Sequence, residues 1–130
     1  MATLSNPTFQ VDILTGSPNV KVTGTVNVVL DQFETFLVNA GLSLKLESEL
    51  WGNDGGFNGA DDYLFTLPSQ NITKPGTYTF TATIAKGILN EDDSLFDKKD
   101  EVYNKFRMVS GTNLFPVNVV AKSPDIQGYF

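Results

Sequence analysis

The sequence contains neither cysteine nor histidine. Zinc sites of the Cys/His type, thiol nucleophiles and Ser-His-Asp triads each need one of these residues, so this composition excludes them. Histidine is also the most common acid–base side chain of enzymes, and because it is absent we expect no enzymatic activity. Glu47 and Glu49 have the residue type of a glycosidase pair, but their closeness on one strand beside Lys45 favours a solvated sheet face.

Basic residues are scarce. Nine lysines and arginines stand against fifteen acidic residues, the formal net charge is -6, and the only arginine is Arg107. Proteins that track phosphates need clustered basic side chains, so we do not expect nucleic-acid binding. The acidic balance suits solubility, a bound cation or a basic protein partner.

Long apolar runs are also absent, and we expect no membrane span. The segment Met1–Pro7 has neither the basic nor the apolar region of a signal peptide, which predicts a cytoplasmic chain and leaves export by another route open. At 130 residues the chain is long enough for one domain, residues 1–130, with one core.

Alternation of apolar and polar residues is the dominant pattern, and it predicts strands. The predicted strands are Thr8–Leu14, Val20–Leu30, Leu42–Trp51, Tyr63–Leu67, Thr77–Lys86 and Leu114–Ala121. Pro68 is expected to end the fourth of them, and Pro116 favours an edge position for the last. Gly24, inside the second, indicates a bulge or a close approach of another chain segment. The spacing of these strands predicts an all-β antiparallel β-sandwich of seven or eight strands.

Two further segments fit more than one structure. Residues 32–40 follow Asp31 and include Glu34, the two residues of a capping box, and this predicts a short crossover helix. Their β-branched residues fit a continuing strand as the alternative. Residues 102–109 fit a helical period, or an alternation interrupted by Asn104, and the surrounding β pattern favours a strand.

The segment 74–84 reads KPGTYTFTATI and resembles a strand of bacterial immunoglobulin-like modules. In those modules a tyrosine placed just after a glycine turn packs at the corner of the sandwich. The resemblance implies an immunoglobulin-like sandwich, with Tyr78 at such a corner.

Two acidic loops are the candidate functional segments. Residues 51–62 combine four glycines, two asparagines and three aspartates, and residues 90–101 hold a second acidic run. Calcium takes about six to eight oxygen ligands, which such loops can supply. The candidate calcium ligands are Asp54, Asn58, Asp61, Asp62, Glu91, Asp92 and Asp93. The alternative is that these side chains are solvated turn residues, and that the second loop is plain surface or docks a basic partner.

The first loop also resembles the calcium loops of C2 domains, which place aspartates after a strand. Trp51-Gly52-Asn53-Asp54 and Asp61-Asp62 copy part of that layout, and the resemblance implies a C2-like sandwich. Gly52 stands where the first aspartate of such a loop is expected. We do not infer from this resemblance that the chain binds membranes.

Three aromatic residues, Trp51, Phe57 and Tyr63, flank or lie within the first loop. If their rings are exposed, they form a platform for carbohydrate. The alternative is that Trp51 and Tyr63 cover the end of the sandwich and only Phe57 is exposed.

Taken with the excluded chemistries, these patterns predict a non-enzymatic binding or structural-assembly module that presents loops 51–62 and 90–101. The alternatives are a calcium-regulated module with Asp54, Asp61 and Asp62 as ligands, and a carbohydrate-binding module. Self-association is expected at an edge strand such as Leu114–Ala121, with Tyr129-Phe130 packing on a neighbouring subunit.

Overall fold

A computed structural model of the chain describes residues 1–53, 61–89, 100–111 and 116–128. Within these ranges the chain forms two antiparallel sheets with eight strands and one α-helix, which confirms the predicted all-β sandwich. The strands are β1 (Thr3–Ile13), β2 (Asn19–Val29), β3 (Leu44–Gly52), β4 (Asp62–Ile72), β5 (Gly76–Ala85), β6 (Asp100–Ser110), β7 (Asn118–Lys122) and β8 (Ile126–Gly128). Helix α1 spans Gln32–Asn39, and a 3₁₀ helix spans Lys86–Leu89. None of the helices in these ranges is long and apolar enough to cross a membrane.

The two sheets differ in size. The three-stranded sheet has the order β1-β2-β5, and the five-stranded sheet has the order β4-β3-β6-β7, with β8 pairing the remaining part of β6. Strand β6 therefore pairs β8 at its beginning and β7 towards its end. The inward faces of both sheets meet in one hydrophobic core.

The alternation in the sequence matches the faces of the strands. In β3 the core side carries Leu44, Leu46, Ser48 and Leu50, which are all buried, and the residues between them point outward. In β2 the face that carries four valines is buried as well. Each of these strands packs one face on the core and exposes the other to solvent, as is common in antiparallel sheets.

The predicted helix joins the two sheets. The Asp31 carboxylate accepts a hydrogen bond from the backbone N–H of Glu34 at 2.7 Å, and the Glu34 carboxylate accepts one from the Asp31 N–H at 3.0 Å, so the capping box is formed. Glu34 is buried and also accepts the Ala2 N–H at 2.7 Å, which ties the helix to the start of β1. A hydrogen bond from the Met1 ammonium to Asp31 holds the pKa of that carboxyl below its ordinary value.

Pro68 does not end a strand, contrary to the prediction. Strand β4 runs through it to Ile72. Because β4 pairs only with β3 and lies at a sheet edge, the missing N–H of the proline breaks no ladder, and the register with β3 shifts beside it between Leu46 and Ser48.

The ends of other strands also differ from the prediction. Strand β1 starts at Thr3, before the predicted Thr8, and crosses Pro7 with a shift of register. The described strand β7 begins at Asn118, after the predicted Leu114, and β8 lies beyond the last predicted strand. Leu114, Phe115, Tyr129 and Phe130 lie outside the described residues.

Residues 102–109 are part of strand β6, so the β reading of this ambiguous segment is confirmed. Asn104 interrupts the apolar alternation because it occupies a core position and is fully buried. Its side-chain carbonyl accepts a hydrogen bond from the Ser48 hydroxyl at 2.8 Å. Gly24 faces it from β2: a Cβ on Gly24 would lie 2.0 Å from Asn104 Nδ2. The close approach predicted at Gly24 is therefore confirmed.

Candidate functional site

The structure describes four of the residues predicted to form a site. Trp51 lies near the end of β3, Asp61 and Asp62 lead into β4, and Tyr63 follows on β4. The other predicted residues, Asp54, Phe57 and Asn58 in the first loop and Glu91, Asp92 and Asp93 in the second, lie outside the described residues.

The bases of the two acidic loops lie side by side at one end of the five-stranded sheet. The first loop joins β3 to β4, and Gly52 pairs with Asp62 across its base. The second loop leads into β6, whose Val102 pairs with the same Gly52. The Asn53 N–H donates to the Glu101 carbonyl at 2.7 Å, which joins the two bases directly.

Three rings form a row across the outward face of the sheet at this end, and we refer to Tyr63, Trp51 and Tyr103 as the aromatic row. Trp51 is directly opposite Tyr63 on β4 and Tyr103 on β6. The rings of Trp51 and Tyr63 meet edge to face, with centroids 5.7 Å apart. Tyr63 is 53% exposed, Trp51 is half-buried and Tyr103 is 4% exposed, so the accessible ring surface lies at the β3–β4 side.

Two lysines lie over this row. Lys105 Nζ is 5.0 Å from the centroid of the Trp51 ring, and Lys122 Nζ is 5.4 Å from that of Tyr103. The two lysines are cross-strand neighbours on β6 and β7, which explains why they occupy adjacent rings. In a chain of net charge -6 this is a local concentration of cations beside aromatic faces.

Carboxylates complete the polar surroundings of the row. The Tyr103 hydroxyl donates to Asp61 at 2.5 Å, and Trp51 Nε1 donates to Glu49 at 3.4 Å. Glu49 and Glu47 lie on the outward face of β3, opposite Lys105 and Arg107 of β6. The rings are thus bordered by both donors and acceptors.

Side chains near β8 fix the bases of the loops. Asn53 Nδ2 donates to Asp125 at 2.7 Å, and Gln127 Nε2 donates to Glu101 at 3.0 Å. Across residues 1–53, 61–89, 100–111 and 116–128, no three His, Cys, Asp or Glu side chains are grouped so as to hold a metal ion. Asp61, one of the predicted calcium ligands, has Tyr103 as a hydrogen-bond partner.

Sequence reasoning missed Tyr103, Lys105 and Lys122 as members of this surface. Their outward direction follows from the alternation of β6 and β7. Tyr103 and Lys105 lie beside Trp51 only through the pairing of β3 with β6, which joins residues about fifty positions apart, and Lys122 joins them through the pairing of β6 with β7.

A cavity of about 450 Å³ lies elsewhere, between the start of helix α1 and the start of β7. Its walls include Ala2, Phe33, Glu34 and Val117, and none of the residues predicted from the sequence as a site lines it.

Comparisons of this chain with protein-family models, with curated proteins and with solved structures find no match.

Proposed function

We propose that this chain is a non-enzymatic binding module that recognises carbohydrate with the aromatic row at the loop end of its five-stranded sheet. One observation carries the proposal: Tyr63, Trp51 and Tyr103 lie in register across three neighbouring strands, on the outward face. Buried aromatic rings stabilise a core, whereas rings on an outward face with a polar border suit a ligand that is apolar on one side and hydroxylated at its edges.

Different side chains of the aromatic row and its surroundings would contact the apolar face and the hydroxyl groups of a sugar. The exposed ring of Tyr63 and the half-buried ring of Trp51 offer apolar surface for the C–H face of a sugar. Glu49 supplies acceptors, and Lys105 supplies donors, for its hydroxyl groups. All four side chains stand on strands, which hold a binding geometry more precisely than loops do. The described bases of the two acidic loops, at Gly52, Asp62 and Glu101, border this surface.

Replacing Tyr63 by alanine is the first test, because it leaves the single tryptophan in place as a reporter. Titration of neutral and acidic oligosaccharides is expected to quench Trp51 fluorescence in the native protein. Tyr63→Ala is expected to weaken that binding about tenfold, the usual loss when an exposed aromatic anchor is truncated. Phe36→Ala removes a ring that is even more exposed (65%) from helix α1 and should bind as the native protein does. A panel without any quenching, or equal affinity in Tyr63→Ala, contradicts the proposal.

Calcium regulation is the second candidate, and the adjacent loop bases favour it. Asp61 and Asp62 stand at one base and Glu101 at the other, joined through Asn53 and Gly52. The described carboxylates Asp61, Asp62 and Glu101 therefore stand at one end of the sheet, which supports this candidate.

A thermal melt tests the calcium site. The melting temperature is expected to be higher in millimolar Ca²⁺ than in EDTA, with a smaller rise in Mg²⁺, because a ligand of the folded state stabilises it. Asp62→Asn should reduce the rise, since Asp62 is exposed at the base of the first loop, and Asp12→Asn on β1 is the control. Identical melting temperatures in EDTA and Ca²⁺ would contradict a calcium site and favour the alternative that these acidic side chains are solvated turn residues.

A further inference from the structure

The edge strands of the two sheets are not equally protected against pairing with another strand. Strand β1 carries Pro7, a positive φ at Asn6 and a shift of register, and β4 carries Pro68 and two shifts. Strand β7 has five residues, is followed by Pro124 and contains Lys122. Prolines, bulges, charges and shortness are the devices that keep sheet edges from associating.

Strand β5 has none of these devices. Its ten residues, Gly76–Ala85, contain no proline and no charged side chain. They pair with β2 residue by residue from Val28 to Asn19 without a shift of register. Among the described strands β5 is therefore the one long and regular edge.

The outward-pointing backbone groups of β5 can be identified. Its ladder with β2 continues in the hydrogen bond from the Lys86 N–H to the Pro18 carbonyl at 2.9 Å, so the even-numbered residues of β5 point to β2. Alternate residues of a strand point their N–H and C=O groups to opposite sides, so Thr77, Thr79, Thr81 and Thr83 present theirs at the free edge. The Thr79 carbonyl accepts a hydrogen bond from the Gln70 side chain of β4 at 2.6 Å, in agreement with this direction.

These four threonines are arranged symmetrically about Phe80. We infer that β5 pairs antiparallel with β5 of a second copy of this chain, about a two-fold axis at Phe80, which joins the two three-stranded sheets into a continuous six-stranded sheet. In this register Thr79 lies opposite Thr81 of the second copy, and Thr77 lies opposite Thr83 of the second copy. The contact is isologous, because the same patch serves on both sides and the interface closes at a dimer.

The composition of β5 favours β5 of a second copy as the strand that pairs with its free edge. Each outward-pointing pair exchanges two backbone hydrogen bonds, and every pair on the outer face is a threonine–threonine pair, a favourable cross-strand combination. No like charges meet within the paired strands, since β5 has no charge, and Lys74 and Lys86, which this register also sets opposite each other, lie beyond its ends. On the core side Phe80 lies opposite its symmetry mate, so the apolar faces of the two copies align as well. The Gln70 amide competes for one carbonyl and has to release it on pairing.

Sedimentation velocity over a concentration series tests the dimer, and the native protein is expected to show a reversible monomer–dimer equilibrium. In T79K/T81K the lysine introduced at position 79 meets the one introduced at position 81 of the second copy. The dissociation constant is then expected to rise about tenfold or more. In T79E/T81K the opposed side chains attract each other, and dimerisation should return to the native level or better. Gln70→Ala should strengthen the dimer. Thr79 and Thr81 are exposed, so both double variants keep the core intact.

Two outcomes would overturn the inference: a native protein that stays monomeric up to the highest soluble concentration, or equal dissociation constants for T79K/T81K and T79E/T81K. Thr81→Pro is the second variant should the double lysine fail to fold, because the N–H it removes points to the free edge and it too should raise the dissociation constant. Mass is measured without glycan, and Tyr63→Ala lies in the other sheet and should dimerise normally. Failure of the dimer and failure of carbohydrate binding are therefore distinguishable.

Discussion

Asn104→Asp is expected to lower the free energy of unfolding by about 3–5 kcal/mol at neutral pH, the usual effect of an uncompensated buried charge. The change is nearly isosteric, so the packing of the core stays the same. Asn104 is fully buried, and among the described residues its side-chain carbonyl accepts from the Ser48 hydroxyl alone. Asn104 Nδ2 has no hydrogen-bond partner within the described structure. The second oxygen of a carboxylate there would likewise have no donor, and the charge would be removed from water without compensation.

The pH dependence of this variant has a definite sign. Burial raises the pKa of the new carboxyl in the folded state above its value of about 3.9 in the unfolded chain. The folded state then holds the proton more tightly, so the penalty is absent at pH values below the unfolded pKa. As pH rises above it, stability falls by about 1.4 kcal/mol per pH unit until the folded pKa is passed.

Urea unfolding at a series of pH values measures this effect directly. Subtracting the native profile isolates the new carboxyl from the other acids of the chain. Asn118→Asp makes the same chemical change at an exposed position of β7 and is expected to unfold nearly as the native protein does. Equal stability of Asn104→Asp and the native protein from acid to neutral pH would mean that the site admits water or a cation.

The secondary structure was largely readable from the sequence, because alternation and capping are local. The strand Leu42–Trp51 was predicted from its alternation and is present as β3, and the capping box of α1 was predicted and confirmed. The reading failed at Pro68, where the sequence predicted a strand end. A proline is tolerated only because β4 lies at an edge, and edge position is a property of the whole sheet.

The core and the candidate site depend on pairing between distant parts of the chain. The sequence indicated one residue of each contact but not its partner. Gly24 indicated a close approach without a partner, and Asn104 interrupted an alternation without a reason. The packing of β2 on β6 explains both, since each fits against the other. In the same way Trp51 and Tyr63 could be selected by their nearness to the loop. Tyr103 joins them only through the register of β3 with β6.

Gly24→Ala is expected to destabilise the protein by about 1–3 kcal/mol, because overpacking a core forces side chains and backbone away from their minima. The added Cβ would lie 2.0 Å from Asn104 Nδ2 and 3.1 Å from Phe106 Cζ. Strand β2 cannot move back to relieve this, since Gly24 is paired with Phe9 on one side and Phe80 on the other. Gly87→Ala is the control: a Cβ there meets nothing within 4 Å, and the change should be neutral or slightly stabilising.

A double-mutant cycle separates this steric conflict from the general effect of removing a glycine. Asn104→Ala alone is expected to destabilise, because it leaves the buried Ser48 hydroxyl without its partner. It also removes the Nδ2 atom that the new Cβ would meet. Gly24→Ala should therefore cost much less in the Asn104→Ala background than in the native one, and chemical denaturation of the four proteins measures the difference. Strictly additive effects would contradict the steric conflict between positions 24 and 104. They would show that Gly24 is needed for the backbone conformation of β2 instead.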